Sequence, residues 1–122
     1  MTARVLAWVL EQLQHNSPVV LATVVGTKGS VPGKSGARLA MNRHQNWVGT
    51  VGGAGLEHRI LNRCKEMLQE TKATSEVHTF GLNKGAKGYE VQPLDSLCGG
   101  QVTISLELML PMPHILLMGG GH

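Results

Sequence analysis

Sixteen of the 122 residues are glycine, and they fall in clusters. Gly26, Gly29, Gly33 and Gly36 make the first, Gly49, Gly52, Gly53 and Gly55 the second, and Gly81, Gly85 and Gly88 the third. Gly99 and Gly100 follow, and Gly119 to Gly121 come last. Glycine loses more conformational freedom on folding than any other residue, so clusters of it mark places where the backbone bends sharply or approaches something closely. The backbone is therefore expected to be part of the site.

The segments between the clusters read as ordinary elements. Thr2 caps a predicted helix with Val5, Leu6, Val9, Leu10 and Leu13 at helical spacing, and Asn16, Ser17 and Pro18 stop it. Val19 to Val25 is a β-branched apolar run ended by Gly26, the pattern of a buried strand. Ala37 to Met41 and Trp47 to Val51 flank the turn NRHQN and predict a hairpin. The GGAG of residues 52–55 opens a second helix, with Leu56, Ile60, Leu61, Cys64, Met67 and Leu68 on one side and an end near Thr71. Val77 to Phe80 predicts a weaker strand, and residues 81–95 read as an irregular loop. From Val102 to Leu108, apolar Val102, Ile104, Leu106 and Leu108 alternate with polar Thr103, Ser105 and Glu107, so one face of that strand is wet.

The length suits one domain, and 42% hydrophobic residues with mean hydropathy near zero argue against disorder. No apolar stretch is long enough to cross a bilayer, and residues 1–16 lack the basic start and cleavage site of a signal peptide, so a cytoplasmic location is expected. Cys64 and Cys98 are the two cysteines, too few for a disulfide framework and without CxxC spacing. The net charge of +3 suits an anionic partner, but the Lys and Arg residues are scattered. Four aromatics, none interleaved with a basic cluster, leave no stacking platform for nucleic acid.

Two loops stand out chemically. In VVGTKGSVPGKSGARLAM, residues 24–41, small residues bare backbone N–H groups, Ser30 and Ser35 add hydroxyls, and Lys28, Lys34 and Arg38 add positive charge. That combination suits phosphate or another oxyanion, but it is not a Walker loop, because a strand follows it instead of a helix. In GTVGGAGLEHRI, residues 49–60, Gly52, Gly53 and Gly55 lead to a helix N-terminus, where free amides and the helix dipole favour an anion. Glu57 suits that first turn as helix-start chemistry or as a ligand contact, and the sequence leaves both open. The histidines show no HxH or HExxH spacing, so a protein-held zinc is not expected, and with Asp95 as sole aspartate no Ser-His-Asp set can be argued.

The segments VVLATVVGTKGSVPGKSGARLAM, WVGTVGGAGLE and LCGGQVTISLE, followed by HILLMGGGH, closely resemble the XdhC/CoxI family of xanthine dehydrogenase accessory proteins, over nearly the whole chain and in the family's order. The resemblance implies a molybdenum-cofactor chaperone without turnover of its own. Such a protein holds molybdopterin, protects its sulfurated form and passes it to a molybdenum hydroxylase such as xanthine dehydrogenase. A cysteine desulfurase is a further implied partner, and a homo-oligomer is expected. It also implies that residues 1–110 are the family's N-terminal domain, and that residues 111–122 are a linker and the first strand of a truncated Rossmann domain. NAD(P) is expected only where the rest of that second domain is present.

Departures accompany the matches. Where family members often read GSVPRKPGAR, this chain has Gly33, Lys34 and Ser35, and Ala54 and Gly55 stand where the second loop often carries a bulky residue or a cysteine. Cys98, Gly99 and Gly100 match the family's CGG. Two following glycines clear the approach to a thiol, so Cys98 reads as a ligand of molybdenum or a sulfur carrier, against the rival reading of a small buried hydrophobe at a tight turn. Cys64 lies on the apolar stripe of the second helix and reads as core.

The expectation is an α/β domain, a mixed sheet of about four or five strands with two flanking helices and the glycine loops gathered at one edge. Gly29, Ser30, Lys34 and Arg38 are expected to hold the pterin phosphate and Gly52, Gly53, Gly55 and Glu57 to present the helix start. Cys98, Gly99 and Gly100 are expected at the metal. The rival functions are a fragment of an NAD(P)-linked oxidoreductase, resting on HILLMGGGH alone, and a module that docks on a hydroxylase or dimerises through an exposed strand.

Overall fold

The computed structural model describes residues 2–29, 31, 34–81, 91–93 and 100–111. Its elements are α1 (Thr2–Gln14), β1 (Val19–Lys28), β2 (Arg38–Asn42), β3 (Trp47–Gly49), α2 (Ala54–Met67), β4 (Thr74–Gly81), β5 (Val91–Pro93) and β6 (Gln101–Met109). Among the described residues the strands form one six-stranded sheet in the order β3-β2-β1-β6-β4-β5. Every pairing is antiparallel except β4 with β5, which makes the sheet mixed. The expected mixed sheet with two flanking helices is thus present, but with six strands where about four or five were expected, because Val91–Pro93, inside the stretch read as an irregular loop, pairs with the end of β4.

β1 is central because its first six residues are apolar or small on both sides. Val19 to Val24 run from 0% to 9% exposed, so each face of the strand must be covered. Val20, Ala22 and Val24 join Leu39, Met41, Ile104, Leu106 and Leu108 beneath Leu56, Ile60, Cys64 and Met67 of α2. On the other face, Val19, Leu21 and Ala40 pack under Val5 and Val9 of α1. The result is three layers, α1 over the sheet over α2. Cys64 is fully buried, as its place on the α2 stripe predicts, and burial pushes its thiol up to about 12.

Several boundaries differ from the pattern reading. β1 does not stop at Gly26 but runs to Lys28, because a bulge lets the extra residue leave the ladder while pairing with β6 continues. α2 ends at Met67 with Leu68 as C-cap, earlier than Thr71, and β4 begins at Thr74, earlier than Val77. Leu6 and Leu10, predicted on the buried stripe of α1, are 43% and 57% exposed. The buried arc of α1 is narrower than its apolar pattern, since the helix packs on the sheet through its Val5–Val9 side alone. Residues 112–122, read as the opening of a Rossmann domain, lie outside the described residues.

Polar ties hold each helix to the sheet. Asn42, 3% exposed, donates from Nδ2 to Gln12 Oε1 of α1 at 2.9 Å, and its Oδ1 accepts the His44 and Asn46 N–H groups at 3.0 Å each. One side chain thereby closes the β2–β3 turn and docks α1. On the α2 side, Arg63 donates from Nε and Nη2 to the two carboxylate oxygens of Glu76 on β4, at 2.5 and 2.8 Å. Its Nη1 reaches Glu66 at 3.1 Å, and His78 Nε2 lies 2.8 Å from Glu76 Oε1. This two-pronged pair holds the Glu76 carboxyl down at about 2, and the same carboxylates raise the Arg63 guanidinium above its ordinary value.

Two outcomes follow. Gly49 has φ +86°, and a methyl group there would intrude on the Arg38 carbonyl oxygen and lie 2.9 Å from Val5 Cγ2. Gly49→Ala is expected to cost on the order of 3 kcal/mol in urea unfolding. Because Glu76 has its folded-state pKa lowered from 4.5 to about 2, its contribution is complete above about 4.5 and disappears as pH falls through about 2. Glu76→Gln should therefore be less stable than the parent at pH 7, with the gap closing across that acid window in pH-dependent thermal melts.

Candidate functional site

Strand direction settles where the glycine clusters go. β1 runs toward Lys28, and β6, antiparallel to it, starts at Gln101 opposite Lys28. β2 begins at Arg38 opposite Thr23, β3 ends at Gly49 opposite Leu39, and β4 ends at Gly81 opposite Gln101. All of these turns lie at one end of the sheet, and α2 starts there as well. They form two groups, however. The Arg38 level and the Lys28 level are separated by five residues of β1, about 15 Å at the rise of a strand.

The first group surrounds the start of α2. The Thr50 N–H donates to the Arg38 carbonyl at 3.0 Å, and Arg38 Nη1 donates to the Gly36 carbonyl at 3.3 Å. Gly52 takes φ +129°, and Gly53 is the N-cap with extended backbone and no side-chain cap. Glu57 turns back to accept the Thr50 hydroxyl and, at 3.3 Å, the Val51 N–H. Its carboxylate thus holds the entry turn, which is the helix-start reading of that residue. Lys34 is exposed, and Gly55 has open space where a side chain would begin.

The second group lies at the far end of β1. Register shifts between Val24 and Gly26, leaving Val25 as the extra residue, 51% exposed. A one-residue shift moves every later side chain to the opposite face. Lys28 consequently pairs with Gln101, and Gly26 with Thr103, on the face that holds the polar residues of β6. Thr79 pairs with Thr103 from the other side, their hydroxyls 3.0 Å apart. Gly26, Thr27, Lys28, Thr79, Gln101 and Thr103 line a cavity of about 220 Å³.

At its rim the chain turns away through Gly29, φ +73°, and Gly100, φ +96°. A β-carbon on Gly29 would lie 3.0 Å from Gly100 Cα, so the first glycine loop and the CGG segment touch here. An ammonium, two hydroxyls and a carboxamide around a small hollow are the donors an oxyanion needs. The volume admits a phosphate, or one end of a larger ligand.

Of the sequence-predicted residues, Gly29 and Gly100 come together at this cavity. Arg38, Gly52, Gly53, Gly55 and Glu57 assemble around the α2 start instead. Ser30, Cys98 and Gly99 lie outside the described residues. Gln101, Thr103 and Thr79 are the residues that motif reading passed over. The alternation in β6 marked Thr103 as polar, but nothing in the sequence aligned it with Thr79 or Lys28. A second cavity, about 320 Å³, opens between α2 and β4 around Arg59, Arg63, His78 and Phe80. The Arg63 fork there is engaged by Glu76 and Glu66 as a brace. No group of three or more His, Cys, Asp or Glu side chains suited to a metal occurs among the described residues, and none of their helices is long and apolar enough to cross a membrane.

A three-layer α/β domain with bare glycine turns and a cationic, hydroxyl-lined hollow at one sheet end is thereby defined. The chain belongs to the XdhC and CoxI family, whose model matches residues 12–81. It is 28% identical over 109 residues to the uncharacterized protein YqeB of Escherichia coli K12, across 89% of this chain and 19% of that protein. It also resembles, at 25% identity and a TM-score of 0.58, a crystal structure from Bacillus halodurans described as a xanthine dehydrogenase, across 83% of this chain and 29% of that one. The chain therefore spans less than a third of the length of either relative.

The geometry separates the glycines by what they do. Gly29→Val meets both a positive φ and the Gly100 backbone, and is expected to lose about 1–3 kcal/mol. Gly55→Ala enters open space in a helix and is expected to gain up to about 1 kcal/mol. Chemical denaturation of both variants checks the contrast.

Proposed function

We propose that this domain serves molybdenum-hydroxylase maturation by holding the phosphate end of the molybdenum cofactor at the Lys28 cavity. Family membership and the xanthine dehydrogenase name of the Bacillus halodurans relative support the enzyme class. The observation that carries the cofactor reading is the β1 bulge, which sets Lys28 on the same face as Gln101, Thr103 and Thr79 beside the Gly29–Gly100 contact.

The described residues fit one end of that group. The Lys28 ammonium neutralises phosphate charge, the Gln101 amide donates to its oxygens, and of the hydrogen-bonded Thr79 and Thr103 hydroxyls the one that accepts from the other keeps its proton for the phosphate. At about 220 Å³ the hollow does not contain a whole pterin, so the rest of the cofactor would extend past Gly29 and Gly100. Cys98, two residues before Gly100, is the thiol assigned to the metal end. Gly52, Gly53 and the uncapped amides of α2 offer a second anion-favouring place, with Ser30, Lys34 and Arg38 on the loop that joins the two. When bound, the cofactor supplies the oxo-transfer and sulfido chemistry that the client hydroxylase uses. This chain's part is to bind, orient and release. The client, a xanthine dehydrogenase-like hydroxylase, and a cysteine desulfurase as sulfur source complete the reading.

Equilibrium binding of released molybdopterin tests it. Lys28→Ala removes one charge-assisted hydrogen bond and should weaken binding roughly tenfold, with a shallower dependence on salt. Cys98→Ala should weaken the molybdenum-loaded form and leave metal-free molybdopterin unaffected. A parent chain that binds neither form ends the proposal, and equal binding by Lys28→Ala removes the cavity from it.

A further inference from the structure

Helix α1 is apolar on two sides, and the sheet uses one. Val5 and Val9 are buried against Val19, Leu21 and Ala40. Ala3, Leu6, Ala7 and Leu10 are all exposed, Leu6 at 43% and Leu10 at 57%. Their spacing is i, i+3, i+4, i+7, so they form one continuous stripe on the side of the helix away from the sheet. An exposed apolar stripe of this kind on a soluble domain marks a contact surface.

The order of sizes along the stripe says what fits it. Read forward it is small, large, small, large, and read backward it is large, small, large, small. Laid against a second copy of itself in the antiparallel sense, Ala3 meets Leu10 at each end, and between them Leu6 meets Leu6 on one flank and Ala7 meets Ala7 on the other. Laid parallel, Leu10 meets Leu10 and Ala3 meets Ala3, which spreads the helices at one end of the stripe and leaves a gap at the other.

Charge agrees with size. Arg4 and Glu11 are both exposed and flank the stripe on the same side, about one quarter-turn from its centre. In an antiparallel pair, like flanks face each other, so Arg4 of each copy stands beside Glu11 of the other. In a parallel pair that flank faces Thr2 and Leu13, and the charges go unmatched.

We propose that α1 is a self-association surface, through which two copies of this chain pair antiparallel about a two-fold axis between Leu6 and Ala7. The contact is isologous, each copy supplying the same patch. It stands independently of the cofactor reading, since the stripe is on the outer side of α1 and the Lys28 cavity is at the β1–β6 end. Four residues a side make a small interface, so the dimer is weak and exchanging, in the micromolar to millimolar range.

Sedimentation velocity of the 122-residue chain over a concentration series tests the proposal. Expected is a reversible monomer–dimer equilibrium that Leu6→Glu and Leu10→Glu each shift at least tenfold toward monomer, with unchanged helical circular dichroism. Glu11→Arg should weaken the dimer, and Arg4→Glu combined with Glu11→Arg should restore it. In a Cys98→Ser background, Ala3→Cys chains mixed with Leu10→Cys chains should oxidise to the mixed disulfide. A chain that stays monomeric at every concentration overturns the proposal. So do disulfides formed mainly within the Ala3→Cys or Leu10→Cys population, or loss of fold in the leucine variants, which would place the stripe inside the chain's own core.

Discussion

The structure depends on β1 being buried on both faces. Six consecutive residues, Val19 to Val24, have almost no exposed surface, and a strand in that condition needs a helix above it, a helix below it and a strand on either side. β2 and β6 supply the hydrogen bonds, α2 and α1 supply the covers. Ala22 and Ala40 on opposite faces leave room for helices to sit close, and the β-branched neighbours fill what remains. Once β1 is fixed in the centre, the other strands have few places to go. The turns between them must fall at its two ends, with the glycine-rich ones at the Lys28 end.

Burial holds the layers together, and a few polar contacts decide how they align. Asn42 spends its whole carboxamide on one turn and on Gln12 of α1, and Arg63 spends its guanidinium on two glutamates. Neither replaces hydrophobic contact in magnitude, because a hydrogen bond exchanged for one with water gains little and the Arg63 pairs are partly wet. Each is directional where packing is not. Arg63 reaches β4, which lies beyond the strands that α2 mainly covers, and so ties the outer part of the sheet to the helix. The cavity wall contributed by Thr79 belongs to that same strand, so the brace on one face helps fix the position of a cavity-lining residue on the other.

The glycines do different work from one another. Gly49 permits the backbone of β3 to lie against Arg38 and Val5, where no side chain fits. Gly29 and Gly100 each take a positive φ, and together they let two chain segments touch at the mouth of the hollow. Gly36 has a positive φ but no crowding, and Gly55 has open space at its β-carbon. A glycine cluster in the sequence is thus several separate requirements that happen to be near one another. The lysine that the bulge carries to this corner gives the bare backbone a charge preference it would otherwise lack.

The sequence by itself determined the elements and the broad architecture. The double-sided apolar run of β1, the alternation of β6 and the helical stripe of α2 are local patterns, and each forces its element because periodicity matches geometry. The buried character of Cys64 was legible in the same way. The nearness of Lys28 to the glycines of the first loop was legible too, since they are adjacent in the chain. Tertiary structure alone decided which of these residues meet. The bulge at Val25 is one residue whose effect is to turn Lys28 over, and its reality depends on β6 continuing to pair beyond it. Thr79, Thr103 and Gln101 come from strands brought together by strand order, which no local pattern encodes. Leu6 and Leu10 look like core by spacing and are exposed because α1 turns its Val5–Val9 side to the sheet and leaves theirs facing away. Pattern fixes what a segment is; register and neighbours, set by long-range packing, fix which way it faces.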